Sequence, residues 1–366
     1  MLRKTKLGFI IISIILLAFS ASAFAQDNNY EINSIERQME RLHELKELIN
    51  SPDFARTVPL NANGEPLEIP NINLIAPPDR NGHFMIGLEI DHTGLVYEDC
   101  EAMRELTRQE VPSEIVDFII SFAGIEKDQV KIGYGIFLPT LRLPHDYVVT
   151  GTCPVWGDDR SSIRNDEIYT ENYINLQMPP PITLRIGQLD HISFLGPGTI
   201  GHPRNSNGRI YTTAVHGDAR VGTIVDTNSF PRNEIGHISR MVFHESVDIA
   251  EVTLNSNVHL SMALPGSWNW PGGINITNFR GVPRGNDNVR SIRGMSGVQE
   301  SRIHAVGAST DRAINKILIY PNGATQVGDS GAALIRVSDS AVLGTRQGRF
   351  TTFGTVFGVY SNVQRY

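Results

Sequence analysis

Three short stretches hold the residues able to do chemistry: Thr213-Ala-Val-His216, Asp248-Ile-Ala250 and Gly328-Asp-Ser-Gly331. A serine hydroxyl is a poor nucleophile at neutral pH. A neutral imidazole must take its proton, and a carboxylate must orient and stabilise that imidazole. Histidine, aspartate and serine in this order therefore point to acyl transfer through Ser330, with His216 as general base and Asp248 as its orienter. The glycines have a mechanical use. A loop that aims two backbone N–H groups, those of Gly328 and Ser330, at one developing oxyanion needs dihedrals that glycine tolerates best. The tetrapeptide alone is a weak signal; three ordered fragments are a stronger one.

Other residues of the right type lack the right setting. Ser296, in Gly294-Met-Ser-Gly297, has no aspartate before it. Asp218 and Asp226 could replace Asp248, but neither opens an Ile-Ala strand. His202, His244 and His304 read as surface or structural residues. No Cys/His cluster has ligand spacing, so neither a metal nor a cofactor is expected.

These side chains need strands to hold them. The chain of 366 residues is 19% charged and rich in glycine and proline, which favours sheet and loops over helical bundles. Beyond Ile182, short strand patterns recur: Ile192–Leu195, Arg209–Thr213, Gly222–Val225, His237–Phe243, Ile249–Leu254, Asn257–Met262, Ser301–Val306, Lys316–Tyr320, Ala332–Val337 and Thr352–Tyr360. This spacing predicts an all-β barrel or sandwich, and about 185 residues suit a pair of small barrels. His216 then sits at a strand end, Asp248 at a strand start and Ser330 on a tight turn.

The upstream half reads differently. Arg3, Lys4 and Lys6 precede an apolar run from Leu7 to Phe19 and a small-residue site ending at Ala25, the pattern of a secretory signal (residues 1–25). An uncleaved membrane anchor is the alternative; the expectation is a secreted or periplasmic protein with no stable membrane insertion. Glu31 to Ile49 has helical spacing of apolar residues. Residues 83–140 read as a small α/β module, with a strand at His83–Asp91, a returning strand at 95–97, helices at Glu101–Arg108 and Ser113–Ala123, and a strand at Val130–Leu138. Residues 26–140 are thus expected to form an N-terminal α/β or α+β domain, 141–181 a turn-rich linker and 182–366 the β domain. Cys100 and Cys153 could pair in an exported protein, or stay apart as thiols. The net charge of −7 argues against nucleic acid as a partner.

Residues 186–366 resemble the trypsin/chymotrypsin superfamily of serine peptidases, and its bacterial streptogrisin and alpha-lytic branch more than the animal enzymes. The resemblance rests on Gly208–His216, Met241–Ala250 and Val327–Leu334. It implies a double β-barrel with the site in the cleft between barrels, the three catalytic roles above, and Gly328 and Ser330 amides as the oxyanion hole. It also implies an Arg293–Asp329 ion pair supporting the site, a substrate pocket based near Ala324 or Thr325, and a pocket wall near Ser361 or in Ala341–Gly344. Relatives of that branch are made with a pro-region, so 26–140 could be a zymogen segment or an accessory domain. Val215 and Ala332 depart from the pattern, and Val215 could crowd the His–Asp contact. Two functions follow: an exported serine endopeptidase acting on protein or peptide substrates, or a catalytically inactive homologue that binds proteins.

Overall fold

A computed structural model describes residues 34–51, 54, 64–93, 95, 100–139, 182–192, 195–215, 219–228, 232–244, 247–264, 275–310, 314–322 and 326–366. The elements in chain order begin with α1 (34–49), β1 (Ile72–Ala76), β2 (Phe84–Glu89), α2 (Cys100–Thr107), α3 (Ser113–Ala123) and β3 (Val130–Pro139). Then come β4 (Ile182–Leu184), β5 (Leu189–Ile192), β6 (Gly196–Thr199), β7 (Ile210–Thr213), β8 (Ile224–Thr227), β9 (Glu234–His244), β10 (Val247–Leu254) and β11 (Val258–Leu260). The last are β12 (Asn288–Arg293), β13 (Gly297–Thr310), β14 (Lys316–Tyr320), β15 (Ala333–Arg336), β16 (Val342–Thr352) and β17 (Thr355–Asn362). None of the helices is long and apolar enough to cross a membrane, among the described residues.

The chain divides into two compact units, one comprising residues up to Ile69 with Ser113–Lys127, the other Pro70–Pro112 with Asp128–Tyr366. In the first, α1 buries Leu42 and Leu45, and α3 buries Ile115, Ile119 and Ala123 at four-residue spacing, which places them on one face. The Phe54 and Phe118 rings meet edge-on at 6.5 Å. Gly124, at φ +67°, ends α3 where the sequence expects, its N–H donating to Ile120 O.

The second unit is mostly sheet. One six-stranded sheet runs β6-β5-β8-β9-β10-β7. The chain leaving β6 then lies beside β7, with Gly201 N donating to Thr212 O and Thr212 N to His202 O. In the nine-stranded sheet, β15-β12-β13-β14-β17-β16 return on themselves, because β16 pairs with both β15 and β17. A single apolar core cluster draws on both sheets, from Ile192, Tyr211, Ile238 and Ile249 to Ile292, Ile335 and Val342.

The domain boundary drawn at residue 140 does not appear in the hydrogen bonding. β1, β2 and β3 belong to the nine-stranded sheet: β3 pairs with β16 from Gly348↔Pro139 to Thr352↔Gly135, and β1 pairs with β13 at Leu74↔Thr310 and Ile75↔Ser309. The burial pattern gives the reason. Every residue of β1 and five of six in β2 are buried, so these strands are covered on both faces and need neighbours on both edges. β2 also runs parallel to β3. Leu95 is outside any strand, and 96–97 lie outside the described residues.

Candidate active site

The Ser330 turn is held from four directions. Gly328 and Gly331 have φ of +95° and +94°, the left-handed region in which a side chain would be strained. At Gly331 there is also no room: a Cβ would lie 2.5 Å from Thr213 Oγ1, 2.6 Å from Thr199 O and 2.9 Å from Ala214 N. Gly331 N donates to Arg346 O, and Arg346 N to Ala332 O, which fastens the turn to β16.

Thr199, at the end of β6, was not singled out in the sequence, yet it joins the parts. Its N–H donates to Ser330 O and its hydroxyl to Gly328 O, both at 2.8 Å. Its hydroxyl accepts from Gly294 N, and its carbonyl accepts from Thr213 Oγ1. Nothing in Gly196-Pro-Gly-Thr199 marks this role locally; it exists only once β6, β7 and the turn are brought together.

Asp329 is fully buried and faces inward. Its Oδ1 accepts from Met295 N and Ser296 N at 3.0 Å each, and its Oδ2 from Gln326 N at 3.0 Å and from the Ser296 hydroxyl. Ser296 therefore supports the turn through Asp329. The expected Arg293–Asp329 ion pair is replaced by a longer-range interaction. Both carboxylate oxygens are taken by the 295–296 loop and Gln326, and Arg293 reaches Ser291 Oγ (2.9 Å) and the Asn322 carbonyl instead. Burial followed by the neighbouring Arg346 charge lowers the pKa of Arg293, while Asp329 and Tyr360 oppose that shift. Burial raises the Tyr360 pKa, but the Arg346 and Arg293 charges outweigh it and the net direction is down.

Ser330 itself is 0% exposed, and its Oγ is buried without a hydrogen-bond partner among the described residues. Among the described residues, the N–H groups of Gly328 and Ser330 also have no acceptor. A buried hydroxyl oxygen and two amides without an acceptor among the described residues thus share one turn. His216 lies outside the described residues, and so do Ala324, Thr325, Asp218 and Cys153. The strand leading to His216 is described: Thr213 and Ala214 are the groups against which Gly331 is wedged. β7 pairs antiparallel with β10 from Thr253↔Ile210 to Ala250↔Thr213, two residues along the strand from Asp248. Val215 is buried within the apolar core.

The remaining sequence candidates sort by contact. Ser361 is buried in β17 and accepts from Lys316 Nζ at 2.9 Å. Cys100 opens α2 and accepts from Arg349 Nη1 at 3.2 Å. The His304 ring packs against Phe357 in a tilted arrangement, with centroids 5.0 Å apart. His202 is buried, its Nδ1 3.0 Å from Pro203 O and its Nε2 3.1 Å from the Tyr366 hydroxyl, which also meets Thr345 Oγ1. An Nδ1–H tautomer satisfies both contacts, with Tyr366 donating to Nε2.

Burial, more than the Arg204 charge, lowers the His202 pKa from its ordinary 6.5 to about 4. A folded-state pKa below the unfolded one means the unfolded chain binds the extra proton between those values. The neutral ring's contribution is therefore complete above about 6.5 and is lost as pH falls towards 4, on the order of 3 kcal/mol in all. Urea unfolding across pH 7 to 4 should show this slope, and His202→Gln should flatten it; an unchanged slope in that variant would assign the effect elsewhere.

No family model and no curated protein matches the chain. Solved structures do. The matched structures are bacterial chymotrypsin-like serine proteases. The chymotrypsin of Cellulomonas bogoriensis is 16% identical and the Nocardiopsis protease 20%, each with a TM-score of 0.40 and each over 50% of this chain. The matches cover 93% and 94% of those chains respectively. Alpha-lytic protease homolog N4 is 16% identical over 50% of this chain and 94% of its own, with a TM-score of 0.39.

Proposed function

We propose that the chain is an exported serine endopeptidase whose residues 182–366 form two β-barrels around a cleft holding His216, Asp248 and Ser330. The observation that carries this reading is the wedge of Gly331 against Thr213 and Ala214, which sets the serine turn beside the strand that leads into His216. In the proposed reaction, His216 takes the Ser330 proton as Oγ attacks the scissile carbonyl carbon. The Gly328 and Ser330 N–H groups receive the oxyanion, and one such donor contributes about 3 kcal/mol to the transition state. Asp248 stabilises the imidazolium, which then protonates the leaving amine. Water, deprotonated by the same imidazole, hydrolyses the ester and restores Ser330.

Export after removal of residues 1–25, a Cys100–Cys153 disulfide, processing within 141–181 and a pocket built around Ala324, Thr325 and Ser361 belong to the same proposal. The substrate is a protein or peptide, and no acidic residue among these pocket positions favours an Arg or Lys side chain.

The second reading, a protein-binding homologue without catalysis, draws on one observation: Ser330 is completely buried. A fluorophosphonate probe separates the two. Covalent labelling of the protein that disappears in Ser330→Ala is the expected result. Failure of the probe to label both the full-length and the linker-cleaved protein would favour the binding homologue, and labelling that persists on Ser296 would overturn the assignment.

A further inference from the structure

We infer that β1, β2, β3 and α2 are a permanent wall of the C-terminal sheet, so that cutting the chain within 140–181 leaves two fragments joined rather than a released leader. The joint is built at three levels. The backbone of β3 continues the sheet from β16 over five register pairs, while β1 closes the other side against β13. β13 and β16, with 14 and 11 residues, are long because each serves two sets of neighbours: β12 or β15 near one end, and β1 or β3 near the other.

The side chains interlock across that joint. Leu74, Ala76 and Met85 share one core cluster with Ala305, Ala308, Leu318, Phe350, Phe357 and Val359. Phe350 lies over a floor of glycines: a Cβ on Gly135 would come within 2.5 Å of its ring, and one on Gly87 within 2.9 Å. The tip of the β16–β17 hairpin is also clasped, with Thr352 Oγ1 donating to Tyr134 O at 2.7 Å and Gly354 N to Thr107 Oγ1 at 3.2 Å. Arg349, itself buried, reaches Cys100 and Met103 of α2. Losing these elements would expose the core side of Phe350 and Phe357 and leave the far halves of β13 and β16 as unpaired strand edges, a route to aggregation.

The test needs no catalytic activity, so its outcome is independent of the peptidase reading. A recognition sequence for a site-specific protease is inserted between Thr150 and Gly151 of the full chain carrying Ser330→Ala. The protein is cut under reducing conditions, which removes any bridge from Cys100 to Cys153, and run on a native sizing column. The expected result is one peak at the uncut volume containing both fragments, and one thermal transition. Gly135→Val, which crowds Phe350, should make the cut fragments part on ten-fold dilution where the parent stays whole. Release of the N-terminal fragment from the cut parent in native buffer overturns the inference, as does a cut Gly135→Val protein that dilutes like the parent.

Discussion

Ser330→Ala is expected to lower peptide-bond hydrolysis by on the order of 10⁶-fold, the scale seen when a serine nucleophile is removed from an acting triad. It should do so while leaving the fold as stable as before, or more so. The Ser330 hydroxyl is fully buried and has no hydrogen-bond partner among the described residues, so the folded state carries a desolvated polar group that the alanine variant lacks. An unsatisfied buried hydroxyl costs about 1–3 kcal/mol, and its removal leaves the backbone contacts from Thr199 and Arg346 in place. Activity on a casein or peptide substrate, together with urea unfolding, measures both halves. A variant that retains turnover would remove Ser330 from the mechanism. One that unfolds well before the parent would mean that the hydroxyl supports the structure.

Asp329→Asn should do the reverse, damaging the fold and the site together. Four donors converge on this buried carboxylate: the N–H groups of Met295, Ser296 and Gln326, and the Ser296 hydroxyl. Whichever way an asparagine amide is turned, its NH₂ faces at least one N–H donor, leaving two donors opposed in a site closed to water. A loss of on the order of 3 kcal/mol follows from breaking charge-assisted hydrogen bonds and stranding their partners. The urea midpoint should fall accordingly, and fluorophosphonate labelling should fall with it, because the turn that orients the Gly328 and Ser330 amides is no longer anchored. Ser296→Ala removes one donor of the four and should be the milder change. Equal stability in Asp329→Asn and the parent would rule out this anchoring role.

The elements legible in the sequence were those with a local signal. α3 runs from Ser113 to Ala123 with Gly124 as its stop, because a four-residue apolar spacing and a terminal glycine are properties of the segment itself. β7, β10 and β14 were equally visible as β-rich runs between turn residues. β16 was not, although all eleven of its residues are buried. Its sequence, Val-Leu-Gly-Thr-Arg-Gln-Gly-Arg-Phe-Thr-Thr, contains Arg346, Gln347 and Arg349, and no hydrophobic periodicity can mark a strand whose interior residues are polar. Those side chains are tolerated inside because the fold supplies partners: Asn322 and the Tyr360 hydroxyl for Arg346, and the sulfur atoms of α2 for Arg349. β12 was missed for the same reason, and with it the setting of Arg293, which turns to Ser291 and Asn322.

Residue order alone pointed to acyl transfer as the chemistry to test, since a serine turn needs its glycines locally and a histidine and an aspartate can be placed at strand ends by pattern. It also told the α3 and β-strand segments apart by their periods. Only the tertiary structure decided what anchors the turn, because Thr199, Met295, Ser296 and Arg346 come from three separate parts of the chain and become neighbours through strand pairing. It likewise decided where the N-terminal strands belong. Burial on both faces says that β2 needs covering, but not by whom; that choice is made by the long-range register of β3 on β16 and β1 on β13, which no local pattern encodes.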